Sequence, residues 1–171
     1  MVAVVKVGLI SDSHGPIDER ILSLLGRCDV VVHAGDLGGP EVLNQLTTLN
    51  RSWLAVRGNN DTPCTWPAGE VSRLEALPEV GCRELPGGLL CVEHGHRAGP
   101  PGVRHDRLRR RHAEARLILY GHSHRLVEDL DPQPWVVNPG ACGRSRTFGG
   151  PSCILLRAGV RVWRTQVHRF P

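Results

Sequence analysis

Val4-Val5-Lys6-Val7-Gly8-Leu9-Ile10-Ser11-Asp12-Ser13-His14 carries an apolar run straight into a turn that holds an aspartate and a histidine. A short apolar run bounded by turn residues reads as a buried strand. Four later segments repeat the plan. Val30-Val31-Val32-His33-Ala34 runs into Gly35-Asp36, and Leu54-Ala55-Val56-Arg57 into Gly58-Asn59-Asn60-Asp61. Leu89-Leu90-Cys91-Val92-Glu93 then runs into His94-Gly95-His96, and Leu117-Ile118-Leu119-Tyr120 into Gly121-His122-Ser123-His124. Loops at the carboxyl ends of adjacent strands are where α/β folds build their sites.

Between these strands the first half alternates with helices. One starts after Asp18, and one covers about 40–49 with Pro40 in its first turn, where the missing N–H costs nothing. The β-α-β-α-β order predicts parallel strands joined by right-handed crossovers. The second half reads differently. Pro86-Gly87-Gly88 predicts a hairpin turn, a basic helix covers about 103–115, and two strand pairs follow at 125–130 with 134–138 and 152–157 with 160–167. Ala158-Gly159 is the expected turn of the last pair. The expected class is α/β, with two packed sheets and outer helices, in one domain over residues 1–171.

At 171 residues and 40% hydrophobic content, the chain is long enough to bury roughly 70% of its unfolded surface. No apolar run approaches the roughly 20 residues of a membrane span, so no membrane partner is expected. The N-terminus enters a strand without a basic leader, which predicts a cytoplasmic protein. The six cysteines form no C-x-x-C pair and read as reduced, mostly buried thiols. The net charge of +4 is carried by arginine, since Lys6 is the one lysine. Its densest run is Arg104, Arg107, Arg109, Arg110 and Arg111, read as a solvated helix face. With aromatics at 4%, the run has no stacking platforms, and nucleic acid is an unsupported partner. Edge strands near the C-terminal hairpin leave room for a homo-oligomer.

The turns offer D-x-H, G-D, G-N-x-D, H-G-H and G-H-x-H in order. Residues two apart on a strand share a face, so extended geometry through Asp12-x-His14 and His122-x-His124 would aim each pair into one space. Nitrogen and oxygen donors without thiolate suit Mn²⁺, Fe²⁺, Zn²⁺, Ni²⁺ or Co²⁺.

This motif set resembles the calcineurin-like metallophosphoesterase superfamily, and most of all its small bacterial and archaeal YfcE-like phosphodiesterases. The resemblance runs from Val4 to Asn138-Pro139-Gly140. It implies a four-layer αββα sandwich of two mixed sheets and a dinuclear centre with Mn²⁺ as the first choice. By motif, Asp12, His14 and His124 would hold one ion and Asn59, His94 and His122 the other, with Asp36 bridging. It implies hydrolysis of small phosphodiesters or phosphomonoesters by a hydroxide shared between the metals. Many members carry a histidine where this chain has Asn60, which leaves the general acid unassigned and favours esters with good leaving groups. His96 is the candidate stand-in, and Asp61 is expected to support the loop or orient a ligand. Arg144 and Arg146, after the Asn138-Pro139-Gly140 turn, are the candidates to grip a phosphate oxygen. The competing readings are a non-catalytic metal-binding scaffold, as in a retromer subunit of this fold, and a DNA nuclease.

Overall fold

Alternate residues of β1 (Val4–Ile10) serve two different cores, which makes this strand the centre of the first sheet. Val7 and Leu9 face the second sheet, while Ile10 faces the helices. The computed structural model describes residues 4–171. After β1 come α1 (Glu19–Leu25), β2 (Val30–His33), α2 (Pro40–Thr48) and β3 (Ser52–Ala55). Strands β1, β2 and β3 are parallel, as the β-α-β-α-β order predicts. Asp18 caps α1 by accepting from the Arg20 N–H, and Pro40 occupies the first turn of α2. Helix α1 lies so close to β1 that a Cβ at Gly8 would overlap the Leu25 side chain.

The chain then forms a 3₁₀ turn (Ala68–Glu70) and α3 (Val71–Glu75), both unmarked by the sequence reading. Strands β4 (Val80–Leu85) and β5 (Gly88–Glu93) make a hairpin around Pro86-Gly87. Pro86 followed by Gly87 at φ 86° is type II chemistry, so Gly88 belongs to the strand rather than to the turn. Next come α4 (Pro101–Arg111), β6 (Leu117–Leu119), β7 (Leu126–Asp129), β8 (Trp135–Pro139), β9 (Ser152–Gly159) and β10 (Trp163–Arg169). The last turn is Val160-Arg161-Val162, not Ala158-Gly159. Both residues stay in β9, where they pair with Val5 and Val4 of β1.

The sheets run β10-β9-β1-β2-β3 and β4-β5-β6-β8-β7. Both are mixed: the final hairpin lies antiparallel to β1 in the first, and β4 and β7 lie antiparallel to β5 and β8 in the second. Val7, Leu9, Val32, Leu90, Leu119 and Val137 belong to the core between the sheets. Ile21, Leu25, Leu43, Leu46 and Leu74 seal α1, α2 and α3 on the first sheet, and Leu108 seals α4 on the second. The result is the four-layer αββα sandwich. No helix of the described residues is long and apolar enough to cross a membrane.

Two sequence readings are corrected here. Cys82 and Cys91 lie opposite one another on β4 and β5 with Cα atoms 4.2 Å apart, and they are joined in a disulfide rather than left as thiols. The arginine run is a solvated face only in part, with Arg107 and Arg110 exposed. Arg104 donates to the Gly99 carbonyl, Arg109 pairs with Asp129, and Arg111 pairs with Glu93, so three of its five guanidinium groups serve the fold.

Candidate metal centre

All five ligand-bearing turns meet at one end of the two sheets. Asp12, His14, Asp36 and Asn59 come from the first sheet, and His94, His122 and His124 from the second. Backbone bonds lace neighbouring turns together. The Asp12 N–H donates to Gly35 at 3.0 Å, His14 to Asp36 at 3.0 Å, and Gly121 to His94 at 3.0 Å. Across the sheets, the His122 N–H donates to the Asp12 carboxylate (3.0 Å to Oδ2) and His94 Nδ1–H to the Ala34 carbonyl at 2.8 Å.

Extended geometry does not bring the paired ligands together. Asp12, His14, Asp36, His122 and His124 have φ of 51°, 45°, 56°, 68° and 57°. Five of the seven candidate ligands are therefore left-handed, a conformation costing roughly 1–2 kcal/mol per residue outside glycine. Such strain persists where the surroundings over-determine it, and functional sites are where it clusters. Asp12 and His14 converge because the chain coils at each of them. Glycines make room for this: a Cβ at Gly58 would overlap the Asp36 carboxylate, and one at Gly121 would overlap Ser11 Oγ.

Ligand atoms of Asp12, His14, Asp36 and His124 all lie within 4.8 Å of one another. His14 Nε2 is 3.1 Å from His124 Nε2, and the two rings stack at 4.9 Å. His94 Nε2 sits 3.3 Å from Asp36 Oδ2, yet it is buried without a hydrogen-bond partner. His122 Nδ1 is 3.0 Å from Asn59 Oδ1, and its ring lies 5.4 Å from that of His94. Asp36 thus belongs to one group with Asp12, His14 and His124 and also approaches His94, which the His122–Asn59 pair flanks.

The electrostatics favour ligation. Burial lowers the pKa of His14, His122 and His124, the last to about 4, which keeps these imidazoles in the neutral, ligating form. Burial also lowers His94, but Asp36 and Asp12 outweigh it and raise that group. Burial pushes the Asp12 carboxyl up to about 7. The same effect acts on Asp36, but His94 and the hydrogen bonds from Asn60 hold it below the usual carboxylate range. Two buried carboxylates, facing imidazole lone pairs and an unpartnered Nε2, are the surroundings that a divalent cation satisfies. The residues fit such a metal.

The remaining candidates separate by what they touch. Asn60 donates to both Asp36 oxygens, from its backbone N–H at 2.9 Å and from Nδ2 at 2.7 Å. Asp61 accepts from the N–H groups of Leu37, Gly38 and Gly58 and from Trp66 Nε1, so its contacts are those of loop support. His96 stands 5.5 Å from His94 and 6.2 Å from His122, ring to ring, with Nδ1 buried and unpartnered. Arg146 Nη2 lies 3.2 Å from His14 Nε2, while its own carbonyl accepts from His124 Nδ1 at 3.2 Å. Arg144 is exposed. His33 is buried in β2, bonded to Ser13 Oγ and the Gly35 N–H, and is no ligand. Sequence reasoning missed Ser11, whose hydroxyl donates to Asp12 at 2.8 Å. A lone serine at a strand end gives no signal. It also gave no role to Asn138, which holds the His122 loop through the Gly121 carbonyl at 2.8 Å.

Comparison with known proteins bears on the family and the fold. The profile of the calcineurin-like phosphoesterase superfamily domain matches residues 5–159. A phosphodiesterase of Methanocaldococcus jannaschii is 27% identical over 155 residues, covering 80% of this chain and 84% of that protein. Among solved structures, Vacuolar Protein Sorting 29 of Cryptosporidium parvum superposes with a TM-score of 0.74 at 18% identity, covering 98% of each chain. A structure described as a novel archaeal phosphodiesterase gives 0.69 at 24% identity, covering 95% of this chain and 99% of that one. These two structures are alike in fold.

Proposed function

The chain belongs to the calcineurin-like phosphoesterase superfamily, and from that premise we propose that it hydrolyses small phosphate esters at a dinuclear centre. The observation that carries this reading is the grouping of Asp12, His14, Asp36 and His124, whose ligand atoms lie within 4.8 Å of one another beside the unpartnered Nε2 of His94. Asp12, His14 and His124 would hold one divalent ion and Asn59, His94 and His122 the other, with manganese as the first choice. When bound, the metals supply charge that stabilises the phosphoryl oxygens and lower the pKa of water.

The chain's own residues do the rest. Asn60 fixes the shared carboxylate through two hydrogen bonds, which orient the ligand and keep it ionised. Arg146 stands at the His14 and His124 side, placed to grip a phosphate oxygen with its planar fork. His96 stands at the His94 and His122 side as the donor available to a leaving group. Because Asn60 replaces a histidine common in the wider superfamily, esters whose leaving groups need no proton should be the best substrates. We place the protein in the cytoplasm, a reading that the thiols of Cys28, Cys142 and Cys153 support and the Cys82–Cys91 bond does not.

The test is a panel of a phosphomonoester, an aryl phosphodiester and a cyclic nucleotide, with the protein reconstituted in Mn²⁺, Ni²⁺, Co²⁺ or Zn²⁺. Turnover is expected, fastest on the aryl diester. No turnover with any metal would move the protein to the scaffold reading.

A further inference from the structure

Beside the His94, His122 and Asn59 side of the centre lies a pocket of about 260 Å³ whose lining includes Arg57, Asn59, Thr62, Glu79, His96 and Arg97. No aliphatic or aromatic hydrocarbon side chain lines it, and charged and polar side chains supply most of the lining. The same turns that deliver candidate ligands deliver its arginines. Arg57 stands two residues before Asn59, and Arg97 three residues after His94.

The two arginines are engaged differently. Arg97 gives both terminal nitrogens to the Glu79 carboxylate. Arg57 approaches Glu79 only at 3.9 Å between Nη2 and Oε1, and its Nε is buried without a partner. The Arg57 side chain is 32% exposed, against 61% for Arg97. Glu79 therefore restrains a half-buried guanidinium without saturating it, and a guanidinium has five N–H donors. The Asp61 carboxylate, also at this pocket, is already taken by four N–H groups.

We propose that this pocket is a subsite for a second phosphate group on the substrate, held by Arg57 with Thr62 while the scissile phosphate sits at the metal centre. The guanidinium fork of Arg57 and the hydroxyl of Thr62 offer several donors to the oxygens of one multiply charged phosphate. The subsite rests on the phosphoester reading above and names its substrate class: esters carrying a phosphate beyond the one that is cleaved.

The test uses the full chain loaded with Mn²⁺ and two chromogenic esters, the p-nitrophenyl ester of thymidine 5′-phosphate and the same ester bearing a 3′-phosphate. Wild type should prefer the 3′-phosphorylated ester in kcat/KM by about tenfold, the scale of one hydrogen bond to a charged group. Arg57→Gln should collapse that ratio through KM, and Arg57→Lys should restore part of it. Calorimetry with thymidine 3′,5′-bisphosphate and thymidine 5′-phosphate gives a readout independent of turnover, with the bisphosphate binding about tenfold more tightly. Equal kcat/KM on the two esters in wild type, or an equal loss on both in Arg57→Gln, overturns the subsite and leaves the hydrolase. A protein that cleaves neither ester, yet binds the bisphosphate more tightly through Arg57, overturns the hydrolase and keeps the subsite.

Discussion

At the scale of single residues, the site is made by conformations rather than by identities alone. Asp12, His14, Asp36, His122 and His124 accept left-handed backbone, and the carboxylates among them are positioned by groups that never meet a metal. Gly58 is one such group, because any Cβ there collides with Asp36. Gly58→Ala should weaken metal binding by about 10–100-fold, the range for losing support behind a ligand. Metal titration by calorimetry checks this, and wild-type affinity in the variant would show that Asp36 can move without cost. The seven candidates were legible in the sequence, since D-x-H, G-D, G-N-x-D, H-G-H and G-H-x-H each follow an apolar strand, and the structure gathers Asp12, His14, Asp36 and His124 into one group. Their left-handed geometry was not, because positive φ at Asp or His leaves no mark that distinguishes it from an extended turn. Arg57 was equally silent: it looked like the last residue of a strand, and only its buried, unpartnered Nε sets it apart.

At the scale of elements, α4 is fixed to β5 by chemistry that the arginine run concealed. Glu93, at the end of β5, receives Arg111 Nη1 and His112 Nε2, and it is 4% exposed. Burial pushes Glu93 up, but His112 and Arg111 outweigh it and hold its pKa below the ordinary glutamate value. A carboxylate depressed in the folded state contributes stability that is present above its unfolded pKa, about 4.3. That stability is lost as pH falls through the folded pKa. Denaturant unfolding should therefore show an acid-side loss of about 2 kcal/mol that Glu93→Gln removes. An unchanged acid limb in the variant would contradict the anchor. The β4–β5 hairpin makes a second claim. Thiol titration of the denatured, unreduced protein should find four of the six cysteines, namely Cys28, Cys64, Cys142 and Cys153. Six thiols before reduction would contradict the cross-strand bond. The strands were legible from their apolar runs, whereas α3 was not. Its five residues are too few to show a helical period, and they fold because Leu74 has a core to enter.

At the scale of the whole molecule, the two sheets depend on each other at the site. Four candidate ligands come from the loops of one and three from the loops of the other, so an ion held there ties the halves of the sandwich together. Binding to the folded state alone stabilises by about 2.7 kcal/mol at a hundred times Kd. Saturating Mn²⁺ should raise the Tm accordingly in a thermal scan, and a Tm indifferent to metal would argue that the ligands do not act together. The two-sheet architecture was legible from parallel units followed by hairpins. The return of β9 and β10 to the first sheet was not, since a hairpin's sequence does not say which edge it joins.

The most direct test of the proposed dinuclear phosphoesterase activity is hydrolysis of an aryl phosphodiester as metal-stripped protein is titrated with Mn²⁺. The account predicts no turnover without metal and a rate that reaches its plateau at two ions per chain. Full activity without metal, or none at any loading, would contradict it.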